Sequence, residues 1–385
     1  MERIYLDHNA TTPLHPRVLE AMLPVLRDGF GNPSSLHWFG QQARAAVDEA
    51  RGQVAALIGG APGEIVFTAS GTEADNMALR GAAAVAREPR RRVLYAGFEH
   101  HAVVNAARGL AEEGFPVQAV RVGSDGRVDL GALEAGLSDQ TAIVSVMLAN
   151  NETGMIQPVE EVVRLAQARG ALVHCDGVQA AGKIPIDVGR LGIDTLALSA
   201  HKIYGPKGVG ALWIKRGTRL KALVRGGSQE RDRRAGTENV AGIVGFGAAA
   251  TLARGDLASE APRLAGLRDR LEERLLAIPG AERNGDGPRV PNTSNVSFQG
   301  IEAESLLMAL DLMGIAVSTG AACAAGAVEP SHVLRAMGLP PERVQGSVRF
   351  SLGRGTTEEH VERAAKAVAE AVERQHRIAL SHARR

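Results

Sequence analysis

Cysteine is almost absent from this chain: among 385 residues there are two, Cys175 and Cys323. Two thiols without metal-ligand spacing build neither a disulfide framework nor a zinc site, and they fit a reducing compartment, with the cytoplasm expected. Aromatic residues are scarce, at 3%, which argues against a sandwich rich in tyrosine and tryptophan. Neither sign of charge prevails, since 44 Lys and Arg face 43 Asp and Glu. No nucleic-acid footprint is expected from that balance, and the arginines at 87–92 read as a solvated turn. No run reads as long and apolar enough to cross a bilayer, and the amino terminus lacks a signal-peptide layout, so no membrane is expected either.

What the chain does have is glycine, 45 residues of it, and an ordinary hydrophobic content of 45%. Length and hydrophobicity suit a large core with a smaller appended domain. After an opening segment, apolar runs of strand length alternate with alanine-rich stretches of helical period, an α/β signature. Strands are expected at 64–68, 93–97, 117–120, 142–148, 171–175, 195–199 and 210–214, with helices at 73–87, 101–113 and 158–169 between them. From about residue 255 a charged amphipathic stretch leads into a mixed pattern that suits a smaller α+β domain. Thr356, with Glu359 three positions on, has the spacing of a capping box opening a long final helix. GFGAAA at 245–250 nominally fits a dinucleotide fingerprint but follows no clear strand, so it is taken as helix packing.

In an open parallel sheet, ligands bind outside the carboxyl ends of the strands. Five expected strands run directly into polar or glycine-rich groups there: ASGTEADN, whose turn feeds a helix with free amides; EHH with His100; ANNETG with Asn151; CDGVQ with Asp176 and Gln179; and SAHK with Ser199, His201 and Lys202. A phosphate cradle, a carboxylate for a protonated ring nitrogen and a lysine able to lose its proton are the parts of a pyridoxal phosphate site. Lys207, in GPKGVG, competes with Lys202 and reads better as a turn residue. Cys175 lies in an apolar strand and reads as structural. Cys323 sits in STGAACAAGA, where small residues give the loop little grip on a core, so its thiol is taken as reactive.

These motifs, in order, resemble the NifS/IscS cysteine desulfurases, pyridoxal phosphate enzymes of the class V aminotransferase group. The likeness runs nearly end to end: YLDHNATTP, GNPSSLH, FTASGTEADN, EHHAV, NNETG, HCDGVQAAGKIPID, SAHKIYGPKGVGAL, RRAGTEN, STGAACAAG, EPSHVLRAMGL and VRFSLGR. It implies the aspartate aminotransferase-like α/β fold (fold type I), with an N-terminal segment over 1–15 packing on the small domain. A large mostly parallel-sheet domain over 16–254 and a smaller α+β domain over 255–385, carrying the reactive-cysteine loop, would follow. By the resemblance Lys202 forms the internal aldimine, His100 stacks on the ring and assists proton transfers, Asp176 binds the pyridine nitrogen and Gln179 the phenolic oxygen. Gly71, Thr72, Ser199 and His201 take the phosphate. Thr237 reaches the phosphate of a neighbouring subunit, which implies a homodimer with shared sites. Asn151, at the cofactor, and Arg349 hold the substrate carboxylate. Cys323 takes sulfur from L-cysteine as a persulfide, alanine leaves, and a NifU- or IscU-type scaffold or another acceptor receives the sulfur for iron-sulfur cluster assembly. No intrinsic metal is implied, with Cys323 at most a transient ligand of a cluster. Two departures stand out: His8, where many relatives have asparagine or an aromatic, and alanines in place of serines around Cys323. Competing readings of the same residues are a selenocysteine lyase, an aminotransferase, or a sulfur-relay protein without catalysis.

Overall fold

The computed structural model describes residues 3–320, 323–324, 327–328 and 330–383, with side chains over 3–320 and 330–378. A short strand β1 (Ile4–Tyr5) precedes β2 (Ile65–Thr68), β3 (Arg92–Ala96), β4 (Val117–Val120), β5 (Thr141–Ser145), β6 (Leu172–Asp176), β7 (Thr195–Ser199) and β8 (Gly210–Ile214). Strands β2 to β8 form one sheet in the order β2-β8-β7-β6-β5-β3-β4. Only β8 runs against its neighbours; the other pairs are parallel. Strands covered on both faces need apolar residues throughout, which is why β2, β7 and β8 are buried at every position and the sequence shows unbroken runs there. All seven expected strands form. The run at 142–148 leaves regular pairing at Ser145, although the Val146 and Leu148 amides still donate to His174 O and Asp176 O at 3.1 and 2.8 Å.

Helices α1 (Pro16–Arg27), α2 (Trp38–Leu57), α3 (Gly71–Val85) and α4 (His101–Glu112) follow in the first part of the chain. On one face α3 and α4 pack Ala74, Met77, Ala78, Val103 and Leu110 onto Val66, Val93 and Ile143. On the other, Val47 and Val54 of α2 and Phe246 and Ala249 of the helix Val240–Leu276 join Phe67, Val173 and Leu198. That 37-residue helix contains GFGAAA, which packs as expected, with Gly245, Phe246 and Gly247 buried. It also corrects one expectation. Part of it is long and apolar enough to cross a membrane, contrary to the sequence reading; its apolar residues instead lie against α1 and α2. The helix runs unbroken through 254–255, its near half packing in the large core up to Ala253 and its far half in a second core from Leu264.

The second core gathers Leu267 and Leu271 from the far half of that helix, Val296, Phe298, Val348 and Phe350 from an antiparallel sheet, and Val361 and Val368 from the last helix. The sheet consists of β9 (Ala281–Arg283), β10 (Thr293–Phe298) and the last strand, Ser347–Ser351, with β10 central. β1 pairs in parallel with β11 (Ile315–Ala316), and Ile4 and Leu6 enter this core. Beyond β11 come β12 (Cys323–Ala324), β13 (Ala327–Val328) and β14 (Ser347–Ser351). Val333, Leu334 and Met337, although late in sequence, belong to the large core. The last helix, Glu358–Ala383, is capped one residue later than expected. The Thr357 hydroxyl accepts the His360 amide at 3.2 Å, while Thr356 turns back to accept the Gly353 amide at 3.0 Å.

Candidate active site

The sheet order changes direction between β3 and β5, and ligands of open α/β sheets bind beyond the strand ends at such a point. A cavity of about 390 Å³ opens there. Ser70, Gly71, Thr72, His100, Asn151, Asp176, Gln179, Ser199, His201 and Lys202 all line it, and the small-domain strand β14 adds Arg349. Thus nearly every site residue expected from the sequence meets in one place. Two do not. Thr237 is exposed and lies outside the cavity lining, and the Cys323 side chain lies outside the described residues. Lys207 is exposed, as a turn residue should be.

Local chemistry fixes each wall. Ser70 caps α3 by accepting the Glu73 amide at 3.1 Å, and Glu73 reaches back to the Ala69 amide at 2.7 Å. The amides of Gly71 and Thr72, in the first turn, have no partner within the helix and carry its positive dipole end. Gly210 lets this turn close over the sheet, because a Cβ there would lie 2.5 Å from the Ser70 carbonyl carbon. His100 caps α4: its Nδ1 accepts the Ala102 amide at 3.1 Å. Burial, reinforced by the Lys202 charge, pushes its pKa down to about 4. The ring is therefore neutral at physiological pH, with its proton on Nε2.

Lys202 follows β7 and donates from Nζ to the carbonyls of Asn9, at 2.5 Å, and Ala10, at 2.8 Å. Burial and then the Arg349 charge lower its pKa to about 8, against the opposing pull of Asp176. Asp176 accepts the Val178 amide at 2.8 Å, and burial raises its pKa to about 6. His201 accepts or donates at Thr11 Oγ1 over 3.1 Å and is held neutral by burial, with a pKa of about 4. Arg349 is almost fully buried; it donates to Asn151 O at 3.0 Å and to Asp7 at 2.6 Å. Its Nε and the Asn151 Oδ1 are buried without a hydrogen-bond partner among the described residues. Buried polar groups are ordinarily satisfied, so two orphans on side chains lining one cavity indicate a ligand rich in polar atoms.

Sequence reasoning missed the residue at the centre of this network. Asn9 accepts Lys202 and, at 2.9 Å, Gln179 through its carbonyl, and its side-chain oxygen accepts Lys183 and Asn292, each at 3.2 Å. Its amide nitrogen donates to Asn151 O and Thr293 Oγ1 at 3.1 and 2.9 Å. The only sequence signal was its place in YLDHNATTP. Gln179 spends its oxygen on Lys183, at 2.6 Å, and one amide hydrogen on Asn9, leaving the other hydrogen for a ligand. Beneath the floor, His174 bridges Asp75 at 3.1 Å and Thr195 at 2.9 Å. Burial also raises the carboxyls of Asp75 and Glu99 well above the usual range.

The donor set suits pyridoxal phosphate: neutral donors at a helix start for a phosphate, a carboxylate for a ring nitrogen, and an amine of lowered pKa for an aldehyde. Among known proteins, the aminotransferase class-V model matches residues 4–364. A cysteine desulfurase from Nostoc sp. is 51% identical over 376 residues, 97% of this chain and 94% of that protein. One from Cereibacter sphaeroides is 52% identical over 367 residues, 94% of each. A solved NifS-like protein superposes with a TM-score of 0.91 at 39% identity, covering 96% of this chain and 99% of that one.

Proposed function

Since the chain belongs to the aminotransferase class-V family and is a cysteine desulfurase, we propose that its cavity binds pyridoxal phosphate and that Cys323 receives the sulfur. The observation that carries this reading is the convergence of Lys202, Asp176, His100 and the α3 amide turn on one cavity, with Arg349 across from them. Gly71, Thr72, Ser199 and His201 would hold the phosphate, Asp176 the ring nitrogen, Gln179 the phenolic oxygen, and Lys202 the aldehyde carbon. When bound, the cofactor supplies an electron sink conjugated to the substrate α-carbon.

The chain's own groups do the rest. Arg349 presents a guanidinium fork to the carboxylate of L-cysteine, and Asn151 adds its side-chain amide. With a pKa of about 8, a useful fraction of Lys202 is neutral near physiological pH, and its Nζ takes the α-proton of the substrate. His100, neutral with its proton on Nε2, would lie against the cofactor and move a proton. Cys323 as thiolate attacks the substrate sulfur: a sulfur-sulfur bond forms, the carbon-sulfur bond breaks, and its electron pair goes to the carbon skeleton, which gains protons and leaves as alanine. The persulfide then passes to a scaffold of NifU or IscU type, or to another acceptor thiol, for iron-sulfur cluster assembly. A reducing cytoplasm is the compartment we assign to this chemistry.

A homodimer with shared sites belongs to the same proposal. Thr237, exposed and outside its own chain's cavity, supports it, as do the exposed Leu36 and Trp38, at 91% and 65% of full exposure. The test is turnover of L-cysteine with a thiol reductant, which should yield alanine and sulfide without a keto-acid acceptor. Cys323→Ala should abolish turnover and keep the cofactor absorbance. Loss of that absorbance, or turnover that depends on a keto acid, refutes the division of labour.

A further inference from the structure

Glu152 has no part in the chemistry above, yet it lines the cavity and is 1% exposed. Its backbone is fixed: the amide donates to Asn150 Oδ1 at 2.8 Å and the carbonyl accepts Asn295 Nδ2 at 3.2 Å. Its side chain meets two points distant in the chain. Ser331 donates its hydroxyl to the Glu152 carboxylate at 2.5 Å, and the same hydroxyl accepts the Leu334 amide at 3.1 Å, capping the helix His332–Ala336. Gly320 lies against the same carboxylate, because a Cβ there would stand 3.0 Å from Glu152 Cγ and from Oε2. Gly320 also has a φ of +80°, a left-handed conformation that favours glycine. Two residues upstream, Ser318 exchanges backbone hydrogen bonds with Arg349, at 2.6 and 3.2 Å.

Residues 320 and 331 bracket the stretch of sequence that carries Cys323. One buried carboxylate therefore touches described residues on either side of that stretch, Gly320 and Ser331, and the Gly320 side is laced through Ser318 to the arginine assigned to the substrate carboxylate. We propose that Glu152 is a positioning residue for sulfur transfer: by joining Gly320 and Ser331 it fixes both roots of the Cys323 segment relative to Arg349 and hence to the substrate. The inference rests on the function proposed above. A Glu152→Ala variant frees the Ser331 hydroxyl and opens space beside Gly320, so the roots shift while the cofactor contacts stay. Displacement of a reacting group by about 1 Å costs on the order of 100-fold in rate.

The experiment uses the holoenzyme and its Glu152→Ala, Glu152→Gln and Ser331→Ala variants. Three quantities are read: cofactor affinity, the change in cofactor absorbance on adding L-cysteine, and the rate at which the Cys323 peptide gains one sulfur in a single turnover, by mass spectrometry. In Glu152→Ala we expect cofactor affinity and the absorbance step within about twofold of wild type, and sulfur gain on Cys323 slowed roughly 10- to 100-fold. Glu152→Gln keeps an acceptor for Ser331 and should recover to within about threefold, whereas Ser331→Ala should follow Glu152→Ala. Wild-type sulfur gain in Glu152→Ala overturns the proposal. So does an equal slowing of substrate binding and sulfur gain, which would mark a merely structural residue. If wild-type enzyme itself places no sulfur on Cys323, the reading beneath the proposal fails and the proposal with it.

Discussion

Glu230→Gln should destabilise this protein more than any surface change, and the reason can be worked from its contacts. Arg51 donates two hydrogen bonds to Glu230, at 2.7 and 2.8 Å, and both side chains are nearly sealed from water, at 3% and 2% exposure. Arg51 also donates to Ile65 O at 2.9 Å and stacks on Phe67, and Glu230 accepts the Phe67 amide at 3.0 Å. The pair thus locks β2, which delivers the cofactor-binding turn, to α2 and to the segment leading to Thr237. Unit charges about 4 Å apart attract by roughly 4 kcal/mol at an effective dielectric of 20. Desolvation consumes much of that gain, but removing Glu230 leaves the buried Arg51 only the exposed Asp48, at 3.7 Å, and broken buried pairs cost about 3–5 kcal/mol. Glutamine keeps an acceptor for the Phe67 amide, so the loss isolates the charge. Glu230 also sits in a left-handed conformation, with φ of 48°, followed by Arg231 and Asp232 at 59° and 63°, a run that costs free energy and is held by the ion pair and by the Arg231 hydrogen bond to Gly63 O at 2.9 Å. In urea, followed by fluorescence of the buried Trp213, a loss of that size lowers the midpoint by about 1 M or more at a slope of ~3 kcal/mol per M. Adding Arg51→Met removes the stranded cation, so the double variant should be more stable than Glu230→Gln alone. A single-variant loss below about 1 kcal/mol, or a double variant that is the sum of its parts, refutes the reasoning.

The pH response of the site follows from the same burial. Capture of the cofactor aldehyde needs neutral Lys202, so its rate should rise about tenfold per pH unit up to about 8 and then level; a stopped-flow midpoint near the ordinary lysine value of 10.5 counts against this. Asp176 loses its charge as pH falls through about 6, so cofactor affinity should weaken below that pH in wild type and be low and flat in Asp176→Asn. Trp38→Glu, at an exposed aromatic patch where Trp38 and Phe39 rings meet at 5.0 Å, should shift sedimentation from the proposed dimer to monomer; an unchanged coefficient would remove that patch from the proposed interface. Native protein should yield one alkylated thiol, because Cys175 is fully buried and burial, with Glu99, Asp176 and Asp75 nearby, pushes its thiol well up. Modification of Cys175 without denaturant would contradict that.

The parallel sheet was legible because strands buried on both faces must be written as apolar runs, and its ligand edge because polar residues follow those runs. Asn9, Glu152 and the Arg51–Glu230 pair were not legible for the opposite reason. Their partners lie far away in sequence: Lys202 is 193 residues from Asn9, Ser331 is 179 from Glu152, and Glu230 is 179 from Arg51. No local period or spacing records such pairings, which exist only once the two cores have met. Thr356 shows the limit at short range. Two adjacent threonines offer the same hydroxyl, and the return of the chain toward Gly353 decides which one caps the helix. The helix Val240–Leu276 fails differently, since a stripe apolar enough for lipid is as well satisfied by α1 and α2.

The proposed phosphate cradle carries a consequence of its own. No lysine or arginine stands among Ser70, Gly71, Thr72, Ser199 and His201, and burial holds the His201 ring neutral. The acid nearest the turn, Glu73, is cancelled by Arg234, whose Nε lies 2.8 Å from it. An incoming phosphate therefore meets chiefly amide dipoles and hydroxyls preset by the fold, with Lys202, its pKa lowered to about 8, as the neighbouring cation. Dipoles fixed in a low-dielectric wall are screened little by salt, whereas exposed charges farther apart than a Debye length, about 8 Å at physiological ionic strength, are largely screened. The affinity of this site for its cofactor is then set by the geometry of the α3 turn, which Gly210 permits and Ser70 caps, more than by net charge. That places determinants of binding at a turn where a methyl group added at Gly210 would stand 2.5 Å from the Ser70 carbonyl carbon.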